Sequence, residues 1–176
     1  ANAAEARLRL GRPAAALHDL QQSDALLAAH DQVDGAGNTN HWMAAMALRV
    51  LGRYGEALER AQAAVEVMRA RLPDNLSGAI VTRAHVWLDL GQRARAMQDC
   101  ERARHEVRRP IKQREVTWLE LRLAAEAASG RDQAVARGRA LLDEGLQLFT
   151  QLAVKLLLVG LAAPDESLVA ARDAVD

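Results

Sequence analysis

Residues 51–58 read LGRYGEAL, and the phrase returns with variation as LGRPAAAL at 10–17, LGQRARAM at 90–97 and ASGRDQAV at 128–135. Aligned on the small residue at their centre, the four copies place Gly11, Gly52, Gly91 and Ser129 in register, separated by 41, 39 and 38 residues. Five residues later each copy carries a small residue followed by an aliphatic one: Ala16-Leu17, Ala57-Leu58, Ala96-Met97 and Ala134-Val135. A near-constant period in this range marks a stacked helical repeat rather than a ligand loop. The glycine suits a left-handed residue just past a helix end, which costs Gly little. The Ala lets a second helix lie close against the first.

Working outward from 51–58, the run His41–Leu48 leading into Leu51 forms a first helix. Ala57, Leu58, Ala61, Ala64, Val65 and Met68 recur at three-and-four spacing and form a second. Extended along the chain, this division predicts helices near 2–10, 13–29, 40–51, 54–71, 76–90, 93–108, 111–128 and 131–147, with further segments at 150–160 and 165–175. The prolines agree with it. Pro13 falls in the first turn of a second helix, and Pro73, Pro110 and Pro164 fall between segments, so none interrupts a helix interior. The expected fold is all-α, a single domain over 1–176. It comprises about four helix pairs (units near 1–30, 38–72, 76–109 and 111–147) and capping helices over 150–176.

Composition supports this class. Half the residues are hydrophobic but only 3% are aromatic, in a chain rich in Ala; Ala favours helices, while strand-forming β-branched and aromatic residues are sparse. Net charge is zero, so no bulk field draws the chain to nucleic acid or anionic lipid. Arg supplies 21 of the 23 basic residues, a bias that accompanies GC-rich bacterial genomes. A lone cysteine, Cys100, excludes an internal disulfide, and its place in a second helix marks it as a small packing residue. No signal peptide is visible and the chain does not begin with Met, so it is expected to be a cytoplasmic piece of a larger protein.

The pattern resembles the tetratricopeptide repeat. Gly52, Tyr54, Ala57 and Leu58 match that family's phrase at the turn between paired helices, with Ala45, Leu48, Ala64 and Pro73 matching elsewhere in the unit. The third unit contributes Ala84, Trp87, Gly91, Ala96 and Ala103. The fourth contributes Trp118, Leu121 and Ala134, with Arg122 standing where a small residue is expected. The units here run 38–41 residues against the family's usual 34, as in longer-helix relatives in bacterial regulatory proteins. The resemblance covers roughly 1–147. It implies a right-handed superhelix whose concave face, lined by the first helices, binds a protein or peptide segment.

Carried over residue by residue, the family's groove positions fall on Trp42, Met46 and Arg49 in unit two. In unit three they fall on Val81, His85 and Asp89, and in unit four on Leu119, Leu123 and Glu126. The competing reading of Trp42 and Met46 is core between adjacent units. The Lys and Asn that clamp a terminal carboxylate in chaperone-tail-binding members are absent, which argues against such a ligand.

Other features carry less chemistry. The polar stretch HDQVDGAGNTN at 30–40 offers Asp31, Asp34, Asn38 and Asn40 but lacks the spacing of a calcium loop, and Thr39 or Asn40 is better read as a helix cap. His18, His30, His41, His85 and His105 show no metal-ligand spacing, a site shared by His41 and His85 being the one conceivable arrangement. No nucleophile triad, P-loop or dinucleotide fingerprint is present, so no catalysis, cofactor or metal is expected.

The run 93–114 is basic, with Arg95, Arg102 and Arg109 at seven-residue spacing. A nucleic-acid-associated regulator using this stripe is the alternative function, set against a solvated face with local ion pairs. No aromatic residues interleave with the arginines to stack bases. The apolar segment 146–163 is too polar to span a membrane, since it holds Gln147, Thr150, Gln151 and Lys155. It is expected either to bury itself within the chain or to meet a second copy or an adjoining domain. The function expected is a non-catalytic protein-binding or sensory module of a bacterial signalling or transcription-regulatory protein.

Overall fold

A computed structural model of the chain describes residues 2–29, 37–108, 110–125 and 131–143. Every regular element among them is helical: α1 (Asn2–Arg9), α2 (Pro13–Ala29), α3 (Gly37–Val50), α4 (Tyr54–Arg71), α5 (Leu76–Asp89), α6 (Arg93–Glu106), α7 (Pro110–Ala125) and α8 (Arg131–Asp143), with one 3-10 turn at Pro73–Asn75. Pro13 and Pro110 each open a helix and Pro73 opens the 3-10 turn, positions where a missing N–H is no loss. The chain divides into two compact units, Ala1–Val116 and Thr117–Asp176.

In the first unit the repeated phrase is a repeated hydrogen-bond pattern. Gly11, Gly52 and Gly91 adopt φ of 68°, 74° and 71°. The N–H of the next residue (Arg12, Arg53 and Gln92) donates back to the carbonyl of Arg7, Leu48 and Trp87 at 2.9, 2.9 and 2.7 Å. The glycine N–H donates to Leu8, Arg49 and Leu88 at 3.0, 3.1 and 2.8 Å. This is a Schellman closure, which satisfies carbonyls that a helix end would otherwise orphan. The carbonyls of Arg12, Arg53 and Gln92 then accept from the N–H of Ala16, Ala57 and Ala96, so one residue closes the first helix and opens the second.

Ala16, Ala57 and Ala96 are fully buried. A second small series seven residues before each glycine, Ala4, Ala45 and Ala84, is also buried. Small side chains at both positions allow close approach of the paired helices, so burial is achieved with few large residues. Within this unit each helix from α1 to α6 packs on the next, and α3 also packs on both α1 and α5. Helix α5 is buried over most of its circumference, from Leu76 to Thr82 and again at Ala84, His85, Val86 and Leu88. Cys100 is buried at the position held by Leu20 and Ala61 in the preceding pairs.

In the second unit Leu121 and Ala134 form a small core flanked by Trp118, Ala124, Ala125 and Leu142. Ala134, the fourth member of the Ala16 series, is therefore buried as its position in the phrase requires. Ser129, Glu126, His30, Asp31, Asp34, Arg109 and the segment 146–163 lie outside the described residues.

One boundary differs from expectation. Helix α3 begins at Gly37, so Thr39 and Asn40 sit inside its first turn and neither is its cap. The side chain of Asn40 is turned to another purpose: Nδ2 donates to Ser23 Oγ at 3.0 Å and to Asp24 Oδ1 at 2.9 Å, tying α3 to α2.

Candidate functional site

The groove positions carried from sequence fall along α3 and α5, the first helices of consecutive pairs. Two polar rungs join these helices. Trp42 Nε1 donates to Thr82 Oγ1 at 2.7 Å, and Thr82 Oγ1 in turn donates to the Gly78 carbonyl at 3.0 Å. Arg49 Nε donates to Asp89 Oδ2 in an ion pair that is largely shielded on the Asp side. Both rungs connect residues 40 apart in sequence, close to the repeat period, so each is a contact between equivalent faces of neighbouring pairs. They are separated by seven residues, about 10 Å along α3 at 1.5 Å per residue.

Between and beyond the rungs α3 presents apolar surface. Met46, one turn from Trp42, is 41% exposed, and Val50, one turn further, is 65% exposed. On α5 the matching positions are closed: His85 is 7% exposed and Val81 is buried. Leu119 and Leu123 are also buried. The structure thus brings Trp42, Met46, Arg49 and Asp89 onto one face, assigns His85 to packing, and leaves Glu126 outside the described residues. Met46 is exposed rather than core, while Trp42 is half-buried and anchored by its ring N–H.

Two members of this face were not singled out from sequence, Thr82 and Val50. Thr82 carried a readable signal, since it stands one repeat from a Trp that needs a partner for its N–H. Val50 carried none, because one valine near a helix end is equally a core residue.

The chemistry available is recognition by shape. Arg49 is neutralised by Asp89, so the face offers apolar contact between satisfied polar groups rather than net charge. The cleft between α1 and α2, lined by Ala3, Arg7, Asp19 and Leu26, has its two charges paired with each other at 3.0 Å. Among the described residues no group of three His, Cys, Asp or Glu side chains lies close enough to hold a metal ion. His41 faces the guanidinium of Arg60, with Nδ1 3.1 Å from Nη1, an arrangement unsuited to a shared site with His85.

The basic run on α6 is partly committed within the fold. Asp99, an acid inside that run, is buried in a two-point pair with Arg83 of α5 at 2.8 and 2.6 Å. The guanidinium of Arg95 lies over the Trp87 ring, 4.6 Å from its centroid. Arg102 is exposed, and α6 contains no Phe, Tyr or Trp. No described helix is long and apolar enough to cross a membrane. No protein-family model matches the chain, and comparison with curated proteins and with solved structures likewise returned no match.

Proposed function

We propose that this chain is a non-catalytic protein-binding module of the tetratricopeptide type, a right-handed superhelix that receives an extended or helical peptide segment along the face carried by α3 and α5. The observation that supports it is the pair of rungs, Trp42–Thr82 and Arg49–Asp89, which hold two first helices in register while leaving Met46 and Val50 open. Apolar side chains held on a rigid scaffold lose little entropy on docking, which suits them as anchors. From the resemblance to long-unit arrays we infer that such a module belongs to a cytoplasmic bacterial signalling or transcription-regulatory protein.

The test separates the open anchors from the rungs, because removing a rung disturbs the fold as well as the face. Met46→Asp combined with Val50→Asp is expected to weaken binding of a captured partner by about tenfold or more, equivalent to about 1.4 kcal/mol. Leu26→Asp, an exposed apolar residue on α2, is expected to leave it unchanged. Retained affinity in the double variant would remove the groove reading. The nucleic-acid alternative has less support, since Arg95 is laid on Trp87 and the net positive excess of α6 is small.

A further inference from the structure

We propose that Met46 is an oxidation-sensitive site, at which hydrogen peroxide converts the thioether to a sulfoxide and turns the open face of α3 from apolar to polar. Its effect on docking rests on the protein-binding reading above; the oxidation and the change of surface do not. The chain has four methionines, and packing sorts them into two classes. Met43 and Met68 are 7% and 0% exposed, whereas Met46 and Met97 are 41% and 46% exposed. Cys100, the remaining sulfur side chain, is buried. Met97 lies on α6, a second helix, so of the two open methionines Met46 is the one on a first helix.

In the reaction the thioether sulfur attacks the peroxide and the O–O bond breaks. One oxygen stays on sulfur as the sulfoxide and the other leaves as water, so sulfur gives up the electron pair that reduces the peroxide. At the open position the new oxygen is hydrated and the fold is kept. At Met43 or Met68 the same oxygen would enter the core. Trp42 Nε1, one turn before Met46, already donates to Thr82 Oγ1 at 2.7 Å and is committed there. An apolar partner side chain seated on the sulfoxide would strip its water without replacing the hydrogen bonds, a loss the thioether does not incur. Val50, the other open anchor, has no sulfur, so the sensitivity is confined to Met46.

The experiment treats the folded chain with hydrogen peroxide, locates each sulfoxide by tandem mass spectrometry and follows helix content by far-UV circular dichroism. Met46 should take up oxygen about tenfold or more faster than Met43 and Met68, because a buried sulfur reacts only in the fraction of molecules that has opened. Met97→Leu then leaves Met46 as the open methionine, and the surface is read as retention on a phenyl matrix. Peroxide should shorten that retention with helix content unchanged. In Met46→Leu combined with Met97→Leu, whatever its starting retention, peroxide should produce no shift. Docking is judged separately, since retained affinity in Met46→Asp with Val50→Asp would remove the groove reading and leave the oxidation result standing. Oxidation of Met46 no faster than that of Met43 and Met68 would overturn the proposal. An equal shift in the two leucine variants, or a loss of helix content when Met46 alone is oxidised, would overturn it as well.

Discussion

Gly52 and Gly55 lie three residues apart in one phrase, and a Cβ added at either would meet no heavy atom within 4 Å. Sterically the two positions are equally free, yet substitution by Ala should move stability in opposite directions. Gly52 sits at φ +74°, where a residue with a Cβ is disfavoured by about 1–2 kcal/mol. Part of that is returned because Ala narrows the unfolded ensemble, a gain of about 0.4–1 kcal/mol. Gly52→Ala should therefore destabilise by about 1 kcal/mol. Gly55 lies in the first turn of α4, where only the unfolded-state gain and helix propensity operate, so Gly55→Ala should stabilise by about 0.5 kcal/mol.

Urea unfolding followed by far-UV circular dichroism measures both. With a slope near 2 kcal/mol/M, the midpoint should fall by about 0.5 M for Gly52→Ala and rise by about 0.25 M for Gly55→Ala. Gly52→Asn should recover much of the loss, because Asn tolerates the left-handed region. Gly91→Ala, at φ +71° with equally open space, should reproduce the Gly52 result. If Gly52→Ala proved neutral while Gly55→Ala stabilised, the positive φ would not be what the repeated glycine is for. A loss above about 3 kcal/mol would mean that the turn packs against something the open space around it denies.

Three further expectations follow from the polar contacts. Asp99→Ala should cost about 3 kcal/mol by stranding Arg83 inside the fold, and Arg83→Met combined with Asp99→Leu should recover most of it, as read by the same unfolding curves. Trp42→Phe and Thr82→Val should each cost about 1 kcal/mol, and a double-mutant cycle should show that the two losses are not additive. Because the folded form holds His41 below its unfolded value near 6.5, its contribution to stability is fully present above that value and is lost as pH falls toward the folded midpoint. The stability profile between about pH 7 and pH 5 should accordingly be flatter in His41→Gln than in the native chain.

The helix boundaries were legible because their signals are local. A left-handed glycine, a proline that opens a helix and a small residue five positions past the turn each act within a few bonds of where they stand. Gly11, Gly52 and Gly91 consequently proved to be three copies of one closure. The start of α3 was misplaced for the same reason in reverse. Asn40 is an excellent local cap by residue type, but its amide is claimed by Ser23 and Asp24, some sixteen residues earlier in the chain. A tertiary partner overrode a local preference that sequence could not weigh against it.

The candidate site divides along the same line. The resemblance to the tetratricopeptide repeat put Trp42, Met46, Arg49, His85 and Asp89 at groove positions of two first helices, and the near-constant period supplied the register in which they were carried over. Which of these positions are open was decided by packing. Met46 is exposed while His85 is closed over, and Arg49 and Asp89 neutralise each other. The pairing of Arg83 with Asp99 and the seat of Arg95 on Trp87 were likewise hidden in what reads as a basic run. Charge and exposure depend on which side chains meet across helices. The repeated phrase at 51–58 determines that the helices pair, and only their tertiary contacts determine which residues are left to meet a partner.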